Sequence, residues 1–205
     1  MARSTQTDAA LRALHDHGMS RLSELMAMGV RQETVARLVR DGRVVRLARG
    51  LYQLPDSDLQ TAHGLAEACK LVPKGIVCLV SALQFHELTV QLPRSIWMAI
   101  EKSARTPRIS APPIQFVRFG TTTLSEGIER HTIEGVTVRV TKPAYTVADC
   151  FRFRSKVGLD VALEGLREAL KQKKCNPDAI MKAAQRRRIW TKLRPYLEAL
   201  IDHDR

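Results

Sequence analysis

Arg43, Arg46 and Arg49 set three guanidinium groups within seven residues, and Arg37 and Arg40 lie just ahead of them. Guanidinium groups grasp phosphate oxygens and guanine edges, so this spacing suits a nucleic-acid surface. A second concentration, Arg186-Arg187-Arg188, has Lys182 one turn before it and Lys192 and Arg194 after it. Arg152, Arg154 and Lys156 are candidates to join it. It reads either as a second polyanion-binding surface or as helix-end cations that offset the helix dipole and aid solubility.

Catalytic chemistry is not spelled in the same way. His86-Glu87 sits between apolar Phe85 and Leu88, and its separation from His63 gives no metal-ligand spacing, so a structural histidine is expected. Glu101 and Lys102 are adjacent, whereas a nuclease core needs an acid, a spacer and a lysine after an earlier acid. Ser81 lacks the flanking glycines of a nucleophile elbow. Neither a GxxxxGK loop nor a GxGxxG turn occurs. Asp149-Cys150 falls on an apolar helix, where cysteine is a packing residue. The expectation is a protein with no catalytic site, no metal and no cofactor.

The elements that must position the first arginine cluster are legible from periodicity. Ala9, Ala10, Leu11, Ala13 and Leu14 give residues 4–17 an apolar helical face, with Gly18 as the stop. Ser20 is placed to cap a second, short helix whose core face is Leu22, Leu25 and Met26. A third helix runs to Asp41 with Val35, Leu38 and Val39 inward, and Gly42 closes it. The opposite face then carries Glu33, Arg37 and Arg40, flanked by Gln32, Thr34 and Ala36. Val44–Leu47 and Leu51–Leu54 form a hairpin around Ala48-Arg49-Gly50, where glycine supplies a positive φ. Helix, helix-turn-helix and basic hairpin in this order predict a winged helix-turn-helix over residues 4–55. Its third helix would enter the major groove of duplex DNA and its wing would lie on backbone or minor groove. Ser20, Arg21, Arg31, Gln32, Glu33, Thr34, Arg37, Arg40, Arg43, Arg46 and Arg49 are the candidate DNA contacts. The plainer alternative is a small helical bundle with a solvated basic face. RNA is the remaining competitor, disfavoured because an A-form major groove is too narrow for a helix.

Downstream, Asp58 is placed to cap a helix from Leu59 to Leu71. Strands are expected at Ile76–Val80, Ser95–Ile100, Ile114–Phe119, Ile128–Ile133 and Val136–Val140, with a short helix from Ser81 to His86. From Pro143 to the end the pattern is helical, with Asn176-Pro177 opening one helix and a last helix expected from about Ile189 to Ile201, in which Pro195 is placed to kink or restart the chain. The 205 residues carry 33 Lys+Arg against 21 Asp+Glu, a net charge of +12. Nine cations oppose five anions over residues 1–55, ten oppose nine over 56–149, and fourteen oppose seven over 150–205. Both ends are therefore basic and the middle is close to neutral, a distribution that attracts polyanions. Cys69, Cys78, Cys150 and Cys175 have no zinc-knuckle spacing and read as reduced thiols of a cytoplasmic protein. No apolar run approaches the ~18 residues of a membrane span, and no signal core follows the first residues.

The string VARLVRDGRVVRLARGLYQLP (35–55) resembles the N-terminal module of the AbiEi-type antitoxin family of transcriptional regulators. CLVSALQFHELT (78–89) and TKPAYTVADCFRFRSKVGLDVALEGLREAL (141–170) fit the same family. The resemblance implies a DNA-binding domain at 1–55 that represses its own operon through promoter repeats. It implies an antitoxin domain at 56–205 within a type IV, abortive-infection toxin–antitoxin system. The toxin would be a nucleotidyltransferase-like protein, countered without a stable complex. The combined expectation is an α+β protein: a winged helix-turn-helix followed by a mixed α/β domain with C-terminal helices, binding DNA as a monomer or weak dimer. A stand-alone, ligand-responsive transcription regulator is the alternative, and a nucleic-acid-processing enzyme is a further one.

Overall fold

The computed structural model describes residues 5–55 and 62–203, with side chains to 201. It is a mixed α+β chain that separates into two compact units. The first comprises residues 1–73, 108–112 and 131–138, and the second comprises 74–107, 113–130 and 139–205. The division expected between 55 and 56, and the helix start expected at Asp58 and Leu59, fall beside or within residues 56–61, outside the described residues.

The first unit begins with α1 (Gln6–His17), β1 (Ser20–Arg21), α2 (Leu22–Ala27) and α3 (Gln32–Arg40). The hairpin β2 (Val45–Ala48) and β3 (Leu51–Gln53) follows, and then α4 (His63–Leu71). Thr5 caps α1: its hydroxyl accepts from the Asp8 amide at 3.2 Å, and the Asp8 carboxylate accepts from the Thr5 amide at 3.2 Å. Ala10, Ala13, Leu14, Leu25, Val30, Val35, Leu38 and Val44 share one core. The chain reverses after α3 at Gly42 (φ 70°) and across the hairpin at Gly50 (φ 75°), left-handed positions where glycine escapes the Cβ penalty. Strands β1 and β2 both pair antiparallel with β3, giving the order β1-β3-β2.

This sheet corrects one expectation. Ser20 does not cap α2: it is buried in β1 opposite Tyr52, and Arg21 occupies the cap position, its amide donating to the Glu24 carboxylate at 2.7 Å. The edge of β3 draws the two residues after Met19 into a ladder, so the helix starts later than its capping-type serine suggested.

The second unit is built on a five-stranded sheet of order β6-β5-β4-β8-β7. The strands are β4 (Ile76–Val77), β5 (Ile96–Glu101), β6 (Ile114–Phe119), β7 (Ile128–Ile133) and β8 (Val136–Thr141), the last two having their outer ends in the first unit. β4 runs antiparallel to β5 and parallel to β8, and β5 runs parallel to β6. Helices α5 (Leu79–Phe85), α6 (Thr121–Ser125), α7 (Pro143–Arg152), α8 (Arg154–Val157), α9 (Leu159–Lys171), α10 (Pro177–Arg186) and α11 (Trp190–His203) complete the described chain. One expectation shifts here. The apolar run at 76–80 is strand only at Ile76–Val77 and is already helix from Leu79, because a fully buried run has no periodicity that separates the two states. Helix α11 continues through Pro195. α7 is deeply enclosed: Val147, Ala148, Cys150 and Phe151 lie in a core shared with Leu83, Leu166, Ile180 and Leu193.

Candidate nucleic-acid interface

Helix α3 buries Val35 and Leu38 and leaves Arg31, Gln32, Glu33, Arg37 and Arg40 exposed. Its start is pinned from α1. The Gln6 amide nitrogen donates to the Gly29 carbonyl and its oxygen accepts from the Arg31 amide, each at 2.8 Å. One Arg37 terminal nitrogen donates to the Thr7 hydroxyl at 3.1 Å, which tethers that guanidinium beside α1. In the hairpin segment Arg43, Arg46 and Arg49 are exposed, and Arg46 Nε donates to the Ala48 carbonyl at 3.3 Å. In the same sheet Leu51 of β3 is fully buried, whereas Arg46 of the neighbouring β2 is exposed. Six arginines thus stand at the surface of this segment, with Glu33 and Asp41 as the exposed acids between residues 31 and 49. Such a face can hold phosphate oxygens and offer a helix to a groove.

Three expected contacts are placed elsewhere. Ser20 is inside the β1–β3 ladder and 1% exposed. Thr34 is 8% exposed because it lies one helical turn before Leu38, on the stripe that faces the core. Arg21 is half-buried and donates from Nε to the Lys70 carbonyl and from a terminal nitrogen to the Leu71 carbonyl, both at 2.7 Å. A cation there satisfies carbonyls left open at the C-terminal end of α4. Glu24 accepts from the Arg21 amide and pairs with Lys70 at 2.9 Å, so Arg21 is a structural tie between α2 and α4.

The second cluster is likewise divided. Arg186, Arg188 and Lys192 are exposed, and Lys182 is paired with Asp178 at 2.6 Å. Arg187 is buried. Its Nε donates to Asp149 Oδ1 at 3.0 Å, a terminal nitrogen donates to the Glu126 carbonyl at 3.1 Å, and its guanidinium lies 4.7 Å from the centre of the Tyr145 ring. Burial raises the Asp149 pKa from 3.8 to about 6, against the pull of Arg187, and Asp149 Oδ2 has no hydrogen-bond partner among the described residues. Arg152 and Arg154 join Arg186, Arg188 and Lys192 around one cleft, together with Thr122 and Thr123 from α6. Those two threonines were not singled out in the sequence. The run Thr121-Thr122-Thr123 was their signal, but its neighbours are far along the chain.

The remaining polar candidates are held in the fold. His86 is buried with Nε2 at 2.7 Å from the Thr141 carbonyl oxygen. His63 Nδ1 lies 2.7 Å from Glu134. Burial pushes the Cys78 and Cys150 thiols well up, which keeps them protonated. Among the described residues no three His, Cys, Asp or Glu side chains gather as a metal-ligand set, and no helix is long and apolar enough to cross a membrane.

Residues 9–55 match the family model described as transcriptional regulator, AbiEi antitoxin. This is the stretch from within α1 to the residues just after β3, and it bears out the family resemblance read on residues 35–55. No curated protein has a significantly similar sequence. In fold, the chain is similar to the RV2827C protein from Mycobacterium tuberculosis. The TM-score is 0.59 at 12% identity, over 89% of this chain and 72% of that one.

Proposed function

We propose that this chain, whose N-terminal segment is that of the AbiEi antitoxin regulators, is a DNA-binding repressor of its own operon and the antitoxin of a type IV toxin–antitoxin pair. In this reading α1, α2, α3 and the β2–β3 hairpin form a winged helix-turn-helix. α3 offers Gln32, Arg37 and Arg40 to the major groove, and Arg43, Arg46 and Arg49 hold the phosphate backbone. One observation carries it: the residues that match the regulator family are the same residues that expose a helix and a hairpin bearing six arginines. The second unit supplies antitoxicity toward a nucleotidyltransferase-like toxin in the cytoplasm, and the chain itself carries out no catalysis.

The test is a salt-titrated gel shift with the DNA upstream of the gene and a shuffled control. Selective binding that weakens steeply with salt is expected. The Arg37→Ala/Arg40→Ala pair should lose about tenfold or more in affinity with an unchanged circular dichroism spectrum, since one good base or phosphate contact is worth about 1–3 kcal/mol. Equal affinity for both DNAs would remove the repressor reading. Full affinity in the double variant would take α3 off the groove.

A further inference from the structure

The cleft in the second unit has a volume of about 520 Å³, the size of a small-ligand site. Its walls carry Arg152, Arg154, Arg186, Arg188 and Lys192, with the hydroxyl-bearing Thr122 and Thr123. Glu126 is the single carboxylate among the described lining residues, and it faces Arg186 at 3.8 Å. The Arg188 and Lys192 side chains have no ion-pair partner among the described residues. Among the described residues no aromatic ring lines the cleft, and Ile189 is its one large apolar residue. Such walls have little to offer an apolar molecule. They suit concentrated negative charge flanked by hydrogen-bond acceptors.

The backbone at the cleft is specialised in the same direction. Arg188 sits at φ 55°, the left-handed position after a helix that ordinarily belongs to glycine. The turn is closed by the Arg188 amide on the Gln185 carbonyl at 3.0 Å and the Ile189 amide on the Ala184 carbonyl at 2.9 Å. Beneath it the buried Arg187 is fixed by Asp149 and the Glu126 carbonyl. An arginine is therefore held in an unfavourable conformation next to an arginine that locks the turn. A strained residue on a rigid base marks a place where a side chain is being positioned.

We propose that this cleft binds a compact, multiply charged phosphate group, either the polyphosphate of a nucleotide or free inorganic polyphosphate. Duplex DNA spreads its charge along a convex rod, about one per 1.7 Å of axis. The five exposed and half-buried cations here instead converge on one concavity, where their fields add. Terminal phosphates on a short chain put several charges in that space and present acceptors to the Thr122 and Thr123 hydroxyls.

The experiment is isothermal titration of the full chain at fixed ionic strength, with inorganic triphosphate, ATP, orthophosphate and a duplex oligonucleotide as separate titrants. Saturable one-to-one binding of triphosphate is expected, with orthophosphate much weaker. Lys192→Ala and Arg188→Gly should each weaken it by about tenfold, the loss of one charge-assisted hydrogen bond. Arg188→Gly removes the cation while relaxing the turn, so its fold should be kept or strengthened. Arg49→Ala, in the first unit, should leave triphosphate binding unchanged. ATP binding no tighter than triphosphate assigns the site to free polyphosphate, and clearly tighter ATP binding assigns it to a nucleotide. Absence of saturable binding at millimolar triphosphate would overturn the proposal, as would undiminished binding in both variants. Heat seen with a duplex oligonucleotide alone, and lost in Lys192→Ala, would overturn it in favour of a DNA surface. None of these results depends on α3, so the site and the repressor reading stand or fall separately.

Discussion

Around α3 and its hairpin, arginines stand at the surface of a small core. Two of them reach partners nearby, Arg37 the Thr7 hydroxyl and Arg46 the Ala48 carbonyl. Around the turn between α10 and α11, cations surround an arginine that is itself inside the protein, paired with a buried aspartate. The same residue type thus serves two ends. In the first region it is a solvated charge that costs the fold little and is available to an outside polyanion. In the second, Arg187 has been desolvated to hold a turn, and its neighbours Arg186 and Arg188 remain available. Sequence spacing alone does not separate these cases, because a buried arginine is distinguished by a partner 38 positions away.

The sharpest way to break this contrast is to remove the buried cation. Arg187→Ala leaves Asp149 without its partner in an apolar setting, which costs about 3–5 kcal/mol. The expected result is a large fall in the urea midpoint, whereas Arg40→Ala, an exposed change, should stay within about 0.5 kcal/mol. Similar small shifts in both would mean that Arg187 is solvated, and the distinction between the clusters would disappear.

A second test uses pH. Burial raises Asp149 from 3.8 to about 6, so the folded state takes up a proton before the unfolded chain does. Between about pH 4 and 6 the folded state then holds more protons, and the contribution of this group to stability is full at the acid end and lost as pH rises. The unfolding free energy of the wild type minus that of Asp149→Asn should therefore fall by about 2 kcal/mol from pH 4 to pH 7. Other carboxylates, including Asp8 and Glu168 with their lowered values, titrate in both proteins and cancel. A difference that is flat with pH would show that the Arg187 pair keeps Asp149 ionised throughout.

What the sequence made legible follows a physical line. Local signals held. Gly42 and Gly50 take the left-handed conformations expected of them, Ile114–Phe119 is a strand to the residue, and Asn176 caps α10 by accepting from the Ala179 amide at 2.8 Å. Signals that depend on distant partners did not. Arg21 reads as one more cation near a helix start, yet its acceptors are the carbonyls of residues 70 and 71. Ser20 has the chemistry of a cap, but pairing with Tyr52 wins because a strand edge offers two backbone bonds where a cap offers one. Thr122 and Thr123 carry no periodic or charge signal, and only the fold brings them to Arg188 and Lys192. The exposed arginines of α3 were legible because an amphipathic helix declares its outer face by its inner one.

The smallest effect expected is in the hairpin, and it sharpens the description of the first region. Arg46 Nε is bonded to the Ala48 carbonyl beside a register shift in the β2–β3 ladder, whereas Arg49 makes no hydrogen bond to the described residues. Arg49→Ala therefore isolates the loss of one solvated charge, and Arg46→Ala adds the loss of a brace within the hairpin. Both variants should unfold within about 0.5 kcal/mol of the wild type, Arg46→Ala being the less stable of the two. If the hairpin lies on the phosphate backbone, each removes about one released counterion, so the slope of log affinity against log salt becomes shallower by about 1. That loss should be equal on operator and shuffled DNA, since phosphate contacts carry no sequence information. An unchanged slope for Arg49→Ala would take the tip of the hairpin off the DNA. A loss confined to the operator would instead make Arg49 a reader of bases or groove shape, and the cations of this region would no longer be a single class.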